Sequence, residues 1–318
     1  MRKRRRPARQ SLPKQPDHFM RPHQQIRKVS WLKFLGLLSL IFFVLFAGIT
    51  MFWWFSPSSW ESDLEQHIVI VPKVIDVNTN HILFIKYDKL SNNISMNSIP
   101  ALEGVELKGG YGTYPLKSLY PLLTLDKHDA QTIRAAYSYA LDTSIDQVWA
   151  SSTDGVFAVT SLAELSAYIV SRDIHASLSL KDRIEVSQEM RKYPLERQGY
   201  ATLDAWRTTA STRYNADFRT CRVGVTNASG TSGLAGSVER ILNRVGGIVI
   251  RIDAQSGQEE RTKIFVQPDQ AACQELVRHL TVLSPEHIEV VEDDAVFSRV
   301  RSELEFVIGD DLARYLKD

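Results

Sequence analysis

The chain has 318 residues, enough for two ordinary domains beyond a membrane segment, and its 44% hydrophobic and 24% charged composition is globular. Two cysteines, Cys221 and Cys273, are too few for a disulfide framework, and the lack of metal-ligand spacing or a histidine-rich cluster argues against a structural zinc site. The formal net charge of +1 conceals an asymmetry: residues 1–33 hold 11 Lys/Arg against one acid, Asp17, leaving 27 basic and 36 acidic residues in 34–318.

The basic tail leads into Phe34 to Phe55, a run without a charged side chain in which Ser39 and Thr50 are the hydroxyl residues. At about 1.5 Å of rise per residue, such a helix spans a hydrocarbon core of roughly 30 Å. Trp31, Trp53 and Trp54 stand at its ends, where aromatic rings favour the membrane interface. Cations precede the run and Glu61, Asp63 and Glu65 follow it, which predicts a cytoplasmic N-terminus and an extracytoplasmic body. The bulky exit Phe52-Trp53-Trp54-Phe55-Ser56-Pro57 suits an uncleaved signal-anchor better than a cleaved signal peptide. The tail either determines topology alone or also grips anionic lipid heads.

Ser56–Gln66 reads as a polar spacer. His67–Pro72, His81–Tyr87 and Asn93–Ile99 are short, rich in β-branched residues and bounded by turn formers, the pattern of consecutive strands. Asp129 to Leu141 predicts a helix with Ile133, Ala136, Tyr137 and Ala140 on one face. Gln147–Ala150 and Gly155–Val159 read as strands. Ser161–Ser171 reads as a helix opened by a capping box of Ser161 and Glu164. This alternation predicts an α/β layer fold over 67–175. Residues 176–221 are polar and read as a helical or linker segment, in which Lys181, Arg183, Arg191, Lys192, Arg197, Arg207, Arg213 and Arg219 offer a cationic face or simply a solvated one. The cysteines are open to pairing or to remaining free, and His175 and His287 read as isolated surface residues.

From Arg222 the expected order is strand 223–226, a turn over Asn227 to Gly233, helix 234–245 stopped by Gly246-Gly247, and strands 248–252 and 262–266. Helix 269–280 and strands 288–291 and 305–309 complete a β-α-β-β-α-β-β, α+β domain over 222–313. Gly230 and Gly233 permit positive φ, and the helix start directs backbone donors outward. That turn either receives an anion or sugar hydroxyl or merely lets strand and helix pack closely.

The run VGVTNASGTSGLAGSVERILNRVGGIVIRID, followed by TKIFVQPDQAACQELVRHL and EFVIGDD, resembles the LytR C-terminal domain. Val223, Val225, Asn227, Gly230, Gly233, Leu234, Ala235, Thr262, Ile264, Gly309 and Asp311 carry the match, with Phe265 one place short of the aromatic position. In bacteria this module stands after an anchor or after a LytR-CpsA-Psr domain. The stretches 82–100 and 132–159 resemble that second family, which transfers glycopolymers from a polyprenyl-pyrophosphate carrier to peptidoglycan with Mg²⁺. There the sequence departs: after Ser98-Ile99-Pro100 stand Ala101 and Leu102, where the family places Arg-Asp. Phosphoryl transfer needs cations around the pyrophosphate, so neutral residues at this point argue against it. Glu196-Arg197-Gln198 is a remnant of the family's later arginine stretch.

The resulting expectation is a single-pass, non-catalytic envelope protein with no cofactor, binding peptidoglycan, an anionic wall polymer or an envelope partner, and no nucleic acid. Asn227, Ser229, Gly230, Gly233, Arg183 and Arg197 are the candidate binding residues, with no catalytic or metal-ligating ones. The alternatives are an Mg²⁺-dependent glycopolymer phosphotransferase drawing cations from the 181–222 run, and a scaffold joining cytoplasm and wall through the basic tail.

Overall fold

The computed structural model describes residues 23–55, 66–88, 92–107, 112–171, 173–176, 178–210, 220–255, 257–284, 286–292 and 301–317. It divides into two compact units, Met1–Pro57 and Ser58–Asp318. Residues 1–22, most of the expected spacer, Arg213 and Arg219 lie outside the described residues.

In the first unit, α1 (His23–Phe55) is one continuous helix. Its Lys33–Phe52 stretch is long and apolar enough to cross a membrane, and its side chains are exposed along that length. Thr50 Oγ1 donates to the carbonyls of Phe46 and Ala47, which settles its hydroxyl within the helix. The helix begins eleven residues before the uncharged run, directly after Pro22 in the sequence, with no breaker between.

In the second unit, β1 (Gln66–Pro72), β2 (His81–Asp88) and β3 (Asn93–Pro100) form the expected antiparallel meander. A hairpin, β4 (Gly104–Leu107) and β5 (Gly112–Pro115), and helix α2 (Leu119–Leu125) follow. Helix α3 (Ala130–Leu141) starts at the Asp129 carboxylate, which accepts from Thr132 N. Strand β6 (Gln147–Ser151) then pairs in parallel with β1.

The strand expected at 155–159 is instead a 3-10 turn over Gly155–Ala158. Val156 and Val159 are both buried in one cluster, and their three-residue spacing matches the 3-10 period rather than strand alternation. Helix α4 (Leu162–Val170) is capped by Ser161, which accepts from Glu164 N. The Glu164 carboxylate reaches back to Thr160 N, one residue beyond the expected capping-box partner.

After β7 (Ile174–His175), the segment read as helical or linker contains helix α5 (Leu180–Met190), strand β8 (Leu195–Gly199) and helix α6 (Leu203–Ala210). Ser179 and Asp182 form a full capping box on α5. Polar β8 carries no apolar alternation; it is a strand because the edge of β3 offers it a parallel hydrogen-bond ladder. The sheet order is β7-β6-β1-β2-β3-β8.

Both faces of this sheet are covered, which is why β1 is buried along its whole length. On one face, Val69, Val71, Phe84 and Ile99 pack with α2, α3 and Trp206 of α6. On the other, Ile68, Ile70, Met96 and Trp149 pack with α4 and α5.

The remainder follows the expected β-α-β-β-α-β-β order: β9 (Arg222–Asn227), α7 (Leu234–Val245), β10 (Ile248–Ala254), β11 (Lys263–Val266), α8 (Ala271–Thr281), β12 (Glu289–Glu292) and β13 (Leu304–Ile308). A terminal helix, α9 (Asp310–Lys317), was not expected. The sheet order is β10-β9-β13-β11-β12. Gly246, with φ 101°, ends α7. Cys221 and Cys273, left open above, form a disulfide that ties the entrance of β9 to α8.

Candidate functional site

The turn after β9 uses its polar groups internally. Asn227 Nδ2 donates to Thr231 O at 2.6 Å, and Asn227 Oδ1 accepts from Ser229 N and from Ser229 Oγ at 2.7 Å. Gly230 and Gly233 have φ of 71° and 85°, the left-handed backbone their positions require. Ser229 is buried. These residues build a tight strand-to-helix turn.

Arg183 is equally occupied. Its Nε donates to Ile169 O at 2.6 Å and its Nη2 to Ser171 O, so it caps the C-terminal end of α4. Partial burial lowers its pKa from the ordinary guanidinium value. Four further members of the 181–222 run are engaged in ion pairs: Lys181 with Glu185, Lys192 with Glu189, Arg207 with Asp142 and Arg222 with Glu303.

Arg197 is exposed on β8 and borders a hollow of about 330 Å³ lined with Ser95, Asn97, Glu196 and Gln198. The register sets Ser95 opposite Glu196 and Asn97 opposite Gln198. Asn97 Nδ2 donates to Ser95 Oγ at 3.4 Å. Hydroxyl, amide, one carboxylate and one guanidinium make a surface suited to hydroxyl-rich ligands, without surplus charge. Arg197 is thus brought to a cleft, whereas Asn227, Ser229, Gly230, Gly233 and Arg183 are held in local structure.

At the end of β3, Ala101 is buried and Leu102 is 54% exposed. Ala101 N donates to Asn80 O and Ala101 O accepts from Lys117 N, so this position ties two loops together. The nearby Glu103 carboxylate accepts from Leu203 N and caps α6. Mg²⁺ requires an open group of oxygen ligands. The residues here do not fit it, since the neighbouring carboxylate is committed to a helix start.

A dense polar cluster escaped sequence reading. It lies at the α3–β6 corner, residues 142–146, where the two sheets' packs meet. Asp142 caps α3 in the left-handed conformation, φ 51°. Its carboxylate gathers Arg207 at 3.2 Å, Arg244 of α7 at 3.0 Å and Arg240 at 3.9 Å. Asp146 Oδ1 accepts from Arg278 Nη1 of α8 at 2.6 Å, and its Oδ2 accepts from His67 N at 2.8 Å. Ser144 Oγ lies 2.7 Å from His279 Nδ1 and 3.2 Å from His67 Nδ1, which is also 3.0 Å from Ser144 O. The two imidazole rings are 5.3 Å apart and both are buried. His67, Asp146 and His279 place ligand-type atoms within 4.8 Å of one another. Those atoms are engaged by Ser144 and Arg278, which makes the cluster a hydrogen-bonded joint rather than a metal centre. Ser144-Ile145-Asp146 lies within the stretch 132–159 that carries the family resemblance, with no sequence signal for its partners on α8.

Elsewhere, exposed His175 Nε2 lies 3.0 Å from Lys73 Nζ and 3.2 Å from Ser152 Oγ. Burial, followed by the charges of Lys73 and Arg183, lowers its pKa from 6.5, with Asp173 opposing. His287 is exposed, as expected.

Residues 220–312, the five-stranded part, match the family model described as LytR cell envelope-related transcriptional attenuator. No curated protein matches the chain. Among solved structures, Bacillus subtilis TagV is similar at 10% identity and TM-score 0.31, over 46% of this chain and 96% of that one. B. subtilis yvhJ is similar at 12% identity and TM-score 0.30, over 47% and 95%, and B. subtilis TagT at 10% and 0.24, over 71% and 92%.

Proposed function

We propose that this is a single-pass membrane protein whose extracytoplasmic body holds a cell-wall polymer without chemically altering it. The hollow between β3 and β8 carries this reading: hydroxyl, amide and ionic groups line an open cleft at the edge of a sheet whose two faces are filled. Ala101 and Leu102, where the resemblance calls for Arg-Asp, support a non-catalytic middle domain derived from the LytR-CpsA-Psr type. The LytR C-terminal match and α1 support an envelope location, and the cation-rich N-terminal flank supports an outward-facing body.

Full-length protein in detergent should co-sediment with purified wall sacculi, and Arg197→Ala with Gln198→Ala should reduce retention several-fold. Wild-type protein left wholly in the supernatant, with both stripped and polymer-bearing sacculi, would sink the binding reading. Protease added to intact cells should digest the LytR C-terminal domain; its survival there, with digestion after lysis, would reverse the orientation. The phosphotransferase alternative draws on Arg197 as an available cation. It requires polyprenyl pyrophosphate turnover in Mg²⁺ that Arg197→Ala abolishes.

A further inference from the structure

The α3–β6 corner contains a buried pair of histidines that the proposed polymer binding does not use. Arg278 Nη2 lies 3.2 Å from His279 Nε2. A guanidinium only donates, so that nitrogen must present its lone pair. The ring proton then sits on Nδ1, directed at Ser144 Oγ 2.7 Å away. His279 is therefore neutral in the docked arrangement. Across Ser144, His67 Nδ1 faces the Ser144 carbonyl, which accepts its proton.

The charged groups around the pair come from every element packed on it. Asp146 stands on the corner itself, and Arg134 of α3 donates to the Asp146 carbonyl. Glu275 and Arg278 come from α8, with Glu275 accepting from Arg278 at 3.1 Å and lying 3.9 Å from His279 Nε2. Lys86 on β2 is the register partner of His67, and Asp88 follows one pleat later. Arg134 and Arg278 thus stand beside Asp146 and Glu275, with Lys86 and Asp88 on the adjacent strand.

We propose that acid releases α8 from this corner, making the joint between the two sheets a pH-operated latch. A proton on His279 Nε2 replaces an acceptor by a donor opposite Arg278 and sets cation against cation in a buried site. A proton on His67 adds a second positive ring 5.3 Å away. The route that relieves both is outward movement of the last turns of α8, pivoting about the Cys221–Cys273 disulfide, so that Arg278 and His279 reach water. The Asp142 pairs with Arg240 and Arg244 of α7 contain no histidine and tether the two halves meanwhile. The response is a local lifting of one helix. It does not depend on the polymer-binding reading.

Hydrogen–deuterium exchange of full-length protein in detergent, corrected for intrinsic rates, tests this at pH 7.5 and pH 5.0. Protection over 143–147 and 274–281 should fall by about tenfold or more at the lower pH, while β9 and β13 keep theirs. The double variant His67→Gln and His279→Gln should lose that difference. Equal protection at both pH values overturns the latch, as does an undiminished response in the double variant. Should the double variant fail to fold, imidazole NMR on the wild type decides. Protonation together with α8 loosening supports the proposal; rings that stay neutral until β9 also unfolds refute it.

Discussion

Arg278 on α8 and Asp146 at the α3–β6 corner form an ion pair of 2.6 Å between positions 132 residues apart. The carboxylate is nearly buried, and its other oxygen is held by His67 N. Removing the guanidinium leaves a buried carboxylate with too little compensation. Arg278→Ala is expected to destabilise the extracytoplasmic part by about 3 kcal/mol. In urea unfolding, Arg278→Met combined with Asp146→Leu should cost less than the sum of the single changes. Strict additivity would show that the pair is not coupled.

The Cys221–Cys273 disulfide closes a loop of 52 residues. On a chain-entropy account it disfavours the unfolded state by about 4 kcal/mol. Replacing both cysteines by serine, or adding reductant, should lower the melting temperature by several degrees. α8 should loosen first, because the bond anchors its first turn. A thermal transition unmoved by reductant would contradict this.

Thr262, Gly309 and Asp311, all residues of the family match, form one buried unit. The Asp311 carboxylate accepts from Thr262 N at 2.9 Å and Thr262 Oγ1 at 2.6 Å, and Thr262 Oγ1 accepts from Gly309 N. A Cβ at Gly309 would meet Arg261 O and Thr262 N at 2.6 Å, backbone atoms that cannot yield separately. Gly309→Ala is expected to cost about 3 kcal/mol by overpacking, and Asp311→Ala about 2 kcal/mol through the unsatisfied Thr262 donors. Chemical denaturation midpoints check both, with Gly257→Ala, on open surface, as the neutral control.

His175 is expected to titrate below 6.5, because burial and then Lys73 disfavour its charged form. A depressed folded-state value means that the stabilising contribution is complete above the unfolded value. It is lost as pH falls through the folded one. Lys73→Met should move the titration back toward 6.5. An NMR curve of the His175 ring measures this directly, and an unchanged midpoint in the variant would reject the charge effect.

Much of the fold was legible because its signals are local. The uncharged run, the Asp129 and Ser161 caps, the apolar strands β1 to β3 and the glycines around α7 act over a few residues each. Misreadings arose where neighbours across space decide conformation. Gly155–Ala158 adopts a 3-10 turn because Val156 and Val159 must enter one cluster. Leu195–Gly199 is a strand because β3 has an open edge.

The candidate site divides along the same line. Sequence singled out Arg197, yet the hollow beside it exists through the β3–β8 register. Asn227, Ser229 and Arg183 looked available and are bound to nearby backbone. By itself the sequence determined the membrane-length helix, the element order over 222–308 and the neutral Ala101-Leu102 pair after Pro100, since hydropathy, caps and residue identity need no distant partner. Only the tertiary structure decided that the cysteines pair and that His67, Ser144, Asp146, Arg278 and His279 converge. A buried polar group is matched by whatever the fold brings beside it, and periodicity does not encode that partner.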